Sequence, residues 1–94
     1  RLDLQDRTAT RNGQVLNLTP REFDLLAYLA ALNGEVASRE SIQKEVWKVQ
    51  SRMTSMDNVI DVHVSRLRQK LGEAGDAPIL HTVRGVGIVL REEA

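Results

Sequence analysis

Ile60, Val64, Leu67 and Leu71 recur at i, i+4, i+7 and i+11, one apolar stripe at helical spacing. The same stretch, Asp57 to Leu71, carries Asn58, Val62, Ser65, Arg66 and Gln69 at like spacing on another face. The pattern predicts a helix with one side for a core and a second side left over for other work. Asp57 or Ser55 supplies its N-cap, and Gly72 is the expected stop.

Upstream, Leu2 to Gln5 alternates apolar and polar, and Thr8–Arg11 and Gln14–Leu18 are strand-like. Asn12-Gly13 between them is a strong hairpin signal, because both residues tolerate positive φ. A small antiparallel sheet is expected here. Thr19-Pro20-Arg21-Glu22 then opens a helix, with Thr19 as N-cap, Pro20 at the first helical position and Glu22 completing a capping box. Leu18 and Phe23 stand where a hydrophobic staple would place them. Phe23, Leu25, Leu26, Leu29, Ala30 and Leu32 make a broad stripe, and Asn33-Gly34 ends it.

Ser38 caps a second helix, from Arg39 to about Trp47, with Ile42 and Val46 as its apolar pair. Lys48 to Met56 has no usable periodicity and reads as a loop; Glu73 to Pro78 is a polar connector. Two short apolar runs from about Ile79 to Leu90 flank Arg84-Gly85-Val86-Gly87, a hairpin whose glycines are expected to take positive φ. The order β-β-β-α-α-α-β-β predicts an α+β winged helix-turn-helix: N-terminal antiparallel sheet, three helices and a C-terminal β-hairpin wing. In that fold the first two helices hold the third across a groove.

The spare face of the third helix offers an amide, a methyl-bearing side chain, a hydroxyl and a guanidinium, flanked by Arg68 and Lys70. These groups read base edges and neutralise phosphates in a DNA major groove. Arg84 at the hairpin tip is placed for a minor groove.

Composition narrows the alternatives. Ninety-four residues suit one small domain without a large catalytic cleft. Without cysteine there is no disulfide, thiolate zinc site or thiol nucleophile, and two isolated histidines, His63 and His81, do not make a metal site. Gly85-Val-Gly87 is too short for a dinucleotide fingerprint and precedes a strand. Asp57 and Asp61 lie four apart, but no nucleophile or second base accompanies them, so capping and a salt bridge are their expected uses. No enzyme activity, cofactor or metal is expected. No apolar run approaches the ~18 residues of a membrane span, and no signal-peptide pattern opens the chain. It lacks an initiator Met, so Arg1 is expected to begin one domain of a longer protein.

The net charge of zero speaks against a general nucleic-acid binder, but its distribution is uneven. Residues 1–46 hold six Lys/Arg against seven Asp/Glu, whereas residues 47–91 hold seven against four. The excess lies where the reading helix and wing are, and local sign governs a small footprint on phosphate.

Five strings in register resemble one family: Leu18-Thr-Pro-Arg-Glu-Phe-Asp-Leu-Leu26, Gly34-Glu-Val-Ala-Ser-Arg-Glu40, Val46-Trp47, Asn58 to Leu71, and His81-Thr-Val-Arg-Gly-Val-Gly87. Together they look like the DNA-binding output domain of OmpR/PhoB-type response regulators, over about Leu2 to Leu90. The resemblance implies a bacterial, cytoplasmic two-component transcription factor with an N-terminal receiver domain, absent here, phosphorylated on an aspartate by a sensor kinase. It implies head-to-tail dimers on direct-repeat DNA and contact with RNA polymerase through the loop between helices two and three. The Asn58-Val-Ile-Asp and Leu80-His-Thr-Val-Arg-Gly-Val-Gly strings lean toward the heavy-metal-responsive branch, where a partner kinase would sense the metal.

Residue by residue, the resemblance implies DNA contacts from Asn58, Val62, His63, Ser65, Arg66 and Arg68 on the third helix, to which the flanking Lys70 is added from the helix pattern alone. Thr82 and Arg84 fall at the wing, and Trp47 and Lys48 at the end of the second helix. Gln50, Ser51, Arg52, Met53 and Thr54 become the polymerase-facing loop. Three departures stand out. Ile88 replaces the usual aromatic after Gly-x-Gly, which is expected to alter packing under the wing. Ser65 occupies a position often basic, and three N-terminal strands are found where the family has four.

On their own chemistry some residues stay open. His63 borders the apolar stripe and could pack or meet phosphate; Trp47 could anchor the core or stack on a base. The competing function is a winged-helix protein-interaction module, which should expose large apolar residues on the second face of the third helix.

Overall fold

The computed structural model describes residues 2–49, 56–73 and 79–91. Strands β1 (Leu2–Asp3), β2 (Thr8–Arg11) and β3 (Gln14–Val15) form an antiparallel sheet in that order. Helices α1 (Pro20–Ala31), α2 (Arg39–Glu45) and α3 (Met56–Glu73) follow, and β4 (Leu80–Val83) pairs with β5 (Gly87–Leu90) as an antiparallel hairpin. This is the predicted winged helix-turn-helix order.

Local chemistry accounts for most of the boundaries. Between β2 and β3 the register pairs Arg11 with Gln14, leaving a two-residue loop in which Asn12 and Gly13 have φ of 53° and 79°. Positive φ at both central residues is the type I′ requirement. The turn from β1 is closed by the Asp3 carboxylate, which accepts from the amides of Gln5 and Asp6 at 3.0 Å each. β3 stops at Val15 rather than Leu18, although the Leu16 amide still donates to the Ala9 carbonyl at 2.8 Å.

The predicted capping box of α1 is present. Thr19 Oγ1 accepts from the Glu22 amide at 3.2 Å, and Glu22 Oε1 accepts from the Thr19 amide at 3.0 Å. The helix ends into Asn33 and Gly34, both with positive φ. Ser38 caps α2 by accepting from the Ser41 amide at 3.0 Å. α2 ends at Glu45, short of the predicted Trp47, because the chain turns away through Lys48 in the left-handed region at φ 60°.

For α3, one expectation narrows and another needs correction. Asp57 lies inside its first turn rather than at the N-cap, and Ser55, the other candidate, lies outside the described residues. Gly72 does not stop the helix, which continues to Glu73. A glycine inside a helix costs only about 1 kcal/mol. The terminal carbonyl of Leu71 is satisfied instead by the Arg11 side chain, whose Nη1 donates to it at 2.6 Å. The connector at 74–78 lies outside the described residues.

Leu25 and Leu29 of α1, Ile42 of α2, Ile60 and Leu67 of α3 and Leu80 and Ile88 of the hairpin are all at most 1% exposed. The three helices and the hairpin therefore contribute their apolar faces to one core. The wing is joined to the body by backbone as well. The Ala37 amide donates to the Ile88 carbonyl at 2.7 Å, and the Ile88 amide returns a bond to the Ala37 carbonyl at 2.8 Å. Gly87, next in the chain, does not have positive φ, contrary to expectation; it is glycine because Ala37 backbone fills the space a Cβ would need. Gly85 does have positive φ, at 76°.

Candidate nucleic-acid interface

α3 divides as its sequence pattern requires. Ile60, Val64, Leu67 and Leu71 are buried, whereas Asn58, Ser65, Arg66 and Gln69 are exposed and Val62 keeps 44% of its surface. Val59, at 38% exposure, belongs to the same outward face. Sequence reasoning passed over it, although its spacing of three from Val62 was available. Arg66 and Arg84 are exposed and meet no ion-pair or hydrogen-bond partner among the described residues, so both guanidiniums stand ready for an external anion. Arg84 begins the wing loop 84–86, where the Val86 amide bonds the Val83 carbonyl at 2.9 Å and Gly85 supplies the left-handed residue.

Other candidate residues are committed to the protein itself. Arg68 is half-buried; its Nε donates to the Leu80 carbonyl at 3.0 Å and its Nη2 to Thr82 Oγ1 at 3.0 Å. One guanidinium thus bridges the reading helix and the first wing strand, and it uses two candidate DNA contacts, Arg68 and Thr82, to do so. Lys70 turns the other way and pairs with Glu22 at 2.6 Å.

Glu22 is the site's least foreseeable member. Only 1% exposed, it serves both the cap of α1 and the ion pair that fastens α3. Burial pushes its carboxyl pKa up. The bond from Lys70, the Thr19 amide, the Lys70 charge and the field of His63 outweigh that, and hold it below the usual carboxylate value.

Trp47 and His63 come together at the junction of α2 and α3. Their ring centroids lie 5.2 Å apart at an interplanar angle of 87°, and the Arg21 guanidinium sits over the indole at 5.4 Å from its centroid. Arg21 also donates to the Val46 carbonyl. Trp47 is half-buried and packs against the core, and Lys48 beside it is exposed. His63 Nδ1 lies 2.8 Å from the Val59 carbonyl, one turn back on α3. His81 is remote from this junction in the chain and bonds the Arg91 carbonyl through Nε2 at 3.2 Å.

Between the start of α2, the first half of α3 and the wing tip runs an open groove of about 430 Å³, lined by Ser38, Arg39, Glu40, Asp57, Asp61, Gly85 and Val86. Asp61 is neutralised by Arg39 at 2.7 Å, the salt bridge expected of it, and Asp57 Oδ1 accepts from Gln43 at 3.4 Å. Its carboxylates make this groove unsuited to phosphate. No group of three His, Cys or carboxylate side chains converges to hold a metal among the described residues, and none of their helices is long and apolar enough to cross a membrane. The polymerase-facing candidates Gln50, Ser51, Arg52, Met53 and Thr54 lie outside the described residues.

Comparison with known proteins gives a consistent answer. Residues 13–90 match the family model described as transcriptional regulatory protein, C terminal. Over 89 residues the chain is 44% identical to the transcriptional activator protein IrlR of Burkholderia pseudomallei, covering 95% of this chain and 38% of that protein. The chain thus spans about two fifths of such a relative. Among solved structures, the DNA-binding domain of CpxR from E. coli superposes with a TM-score of 0.81 at 40% identity, covering 99% of this chain and 90% of that one. The Klebsiella pneumoniae RstA DNA-binding domain, solved in complex with the RstA box, gives 0.81 at 30% identity, over 96% and 88%. With its helices, sheet and wing in the same order, the chain belongs to this family of transcriptional-regulator C-terminal domains, the DNA-binding output domains of OmpR/PhoB-type response regulators.

Proposed function

We propose that this chain binds duplex DNA sequence-specifically and controls transcription, with α3 in the major groove and Arg84 of the wing in the adjacent minor groove. The observation that carries this reading is the division of α3. One face is wholly committed to the core, while Asn58, Val62, Ser65, Arg66 and Gln69 are left facing outward with hydrogen-bonding and methyl groups suited to base edges. That the related RstA domain was solved with its DNA box supports the same use. Trp47, Lys48 and His63 form the margin nearest a phosphate strand, and Arg68, Lys70 and Thr82 support the reading surface through their bonds within the domain.

On this reading the chain is one domain of a larger cytoplasmic protein. Its N-terminal receiver, phosphorylated through a sensor kinase, would control pairing of two such domains head to tail on direct repeats. The segment from Lys48 to Met56 would meet RNA polymerase. The competing module reading can draw on Val59 and Val62, three apart on the outward face of α3, and on Val86 of the wing, but three valines among polar neighbours offer too small an apolar area for a stable protein interface.

Selection of bound sites from random duplex DNA tests the proposal. A repeated motif should enrich, and binding of the enriched duplex should weaken with salt at a log–log slope of about −4 to −5, as for about five neutralised phosphates. Failure to enrich any motif would favour the protein-interaction module.

A further inference from the structure

His63 carries an ambiguity that its hydrogen bond resolves. The Val59 carbonyl can only accept, so the 2.8 Å contact requires the proton of the imidazole to sit on Nδ1. Nε2 meets no hydrogen-bond partner among the described residues. In the neutral ring that nitrogen is a bare acceptor, which repels a phosphate oxygen. Only the imidazolium offers an Nε2–H that can donate to one.

We infer that His63 engages the DNA backbone solely as an imidazolium, so that DNA binding by this domain takes up a proton. The inference rests on the DNA-binding reading above. His63 stands four residues after Val59 and three before Arg66, so it borders the outward face at neighbouring helical positions. It is half-buried, and its ring is held at right angles to Trp47. That leaves little freedom to flip and present Nδ1 instead.

The charged groups around the ring are paired or positive. From α1, Glu22 feels the His63 ring, but its carboxylate is already paired with Lys70 of α3. Arg21, also from α1, lies over the far partner Trp47, and Lys48 follows Trp47 in the chain. Arg66 on α3 adds a further positive charge one turn on. An incoming phosphate is therefore the uncompensated negative charge that would favour the ring with both nitrogens protonated. Because phosphate is sequence-independent, the proton linkage should appear on any duplex to which the domain binds.

The test is anisotropy titration of the 94-residue chain between pH 5.5 and 8.0 at fixed ionic strength, on a selected duplex and on a random duplex of equal length. Wild-type affinity should fall about tenfold across that range on both. His63→Gln, which replaces the ionisable ring by a neutral amide, should change less than about twofold across that range. His81→Gln alters the only other histidine and should keep the wild-type slope. A pH-independent wild type, or an unchanged slope in His63→Gln, overturns the inference. Nitrogen NMR shifts of the His63 ring in the wild-type complex at pH 7 give an answer that needs no variant: both ring nitrogens protonated supports it, and a neutral Nδ1–H ring overturns it. Absence of binding by any protein at any pH would instead overturn the DNA reading, and this inference with it.

Discussion

Gly87 approaches Ala37 so closely that it has no room for a side chain: a Cβ on Gly87 would lie 1.9 Å from the Ala37 carbonyl oxygen and 2.7 Å from its carbon. The obstacle is backbone, held by the paired Ala37–Ile88 hydrogen bonds, so it cannot swing aside. Gly87→Ala should therefore cost about 3 kcal/mol. Gly85→Ala meets no atom within 4 Å and carries only the penalty of positive φ, about 1 kcal/mol. Urea unfolding of the two variants checks the contrast, and equal losses would mean that the wing does not close against Ala37 as described.

The Glu22–Lys70 pair predicts an acid-side loss of stability. A carboxyl whose folded pKa lies below its unfolded value contributes stability above the unfolded value, about 4.3, and that contribution fades as pH falls through the folded value. Glu22→Gln should thus be less stable than wild type at pH 7, by about 1–3 kcal/mol. The gap should narrow steadily below about pH 4.3. Thermal midpoints across pH 2.5–7 measure it, and a constant gap would show that charge has no part in fastening α3 to α1.

Neighbouring positions on α3 should separate stability from recognition. Leu67 is fully buried, and Leu67→Ala should cost about 2–5 kcal/mol of folding free energy. Arg66→Ala should leave folding nearly unchanged and remove about 1–3 kcal/mol of discrimination between a selected site and random DNA. If Arg66→Ala weakens both duplexes equally, Arg66 is a phosphate contact and not a base reader.

Arg84→Ala should lower affinity most on duplexes with A·T-rich flanks, whose narrow minor groove concentrates negative potential, and leave the thermal midpoint in place. Loss of equal size on G·C-rich flanks would reduce Arg84 to a general phosphate contact.

Arg68 should act largely through the wing, because its guanidinium is held by Leu80 and Thr82. Arg68→Ala ought then to cost much less in an Arg84→Ala background than alone, whereas an independent phosphate contact would give additive losses in the same binding cycle.

What could be read in the sequence was whatever local chemistry controls. The capping box at Thr19 and Glu22, the Asn12-Gly13 turn and the stripe through Ile60 and Leu67 each depend on residues within one turn of one another, and the structure has all three. What escaped depends on residues brought together from afar. Arg68 with Thr82, and Glu22 with Lys70 across 48 positions, have no signature in any short window. Gly72 misled for the same reason, since a side chain from β2 satisfies the end of α3 that a left-handed glycine was expected to turn. At Gly87 the residue type was informative but its cause was not, because positive φ and close backbone approach both select glycine.

The double hydrogen bond between Ala37 and Ile88, with Arg68 closing the other side, has a consequence for how the domain would meet a duplex. The hairpin is not a free arm that searches for its own groove; it is rigged to the reading helix at a set span. On the proposed binding mode, a site must then present its major and minor grooves at that span before both Arg66 and Arg84 can seat. Local twist becomes something the protein gauges like a calliper, and two duplexes with the same contacted bases but different winding between them should not be equivalent to it.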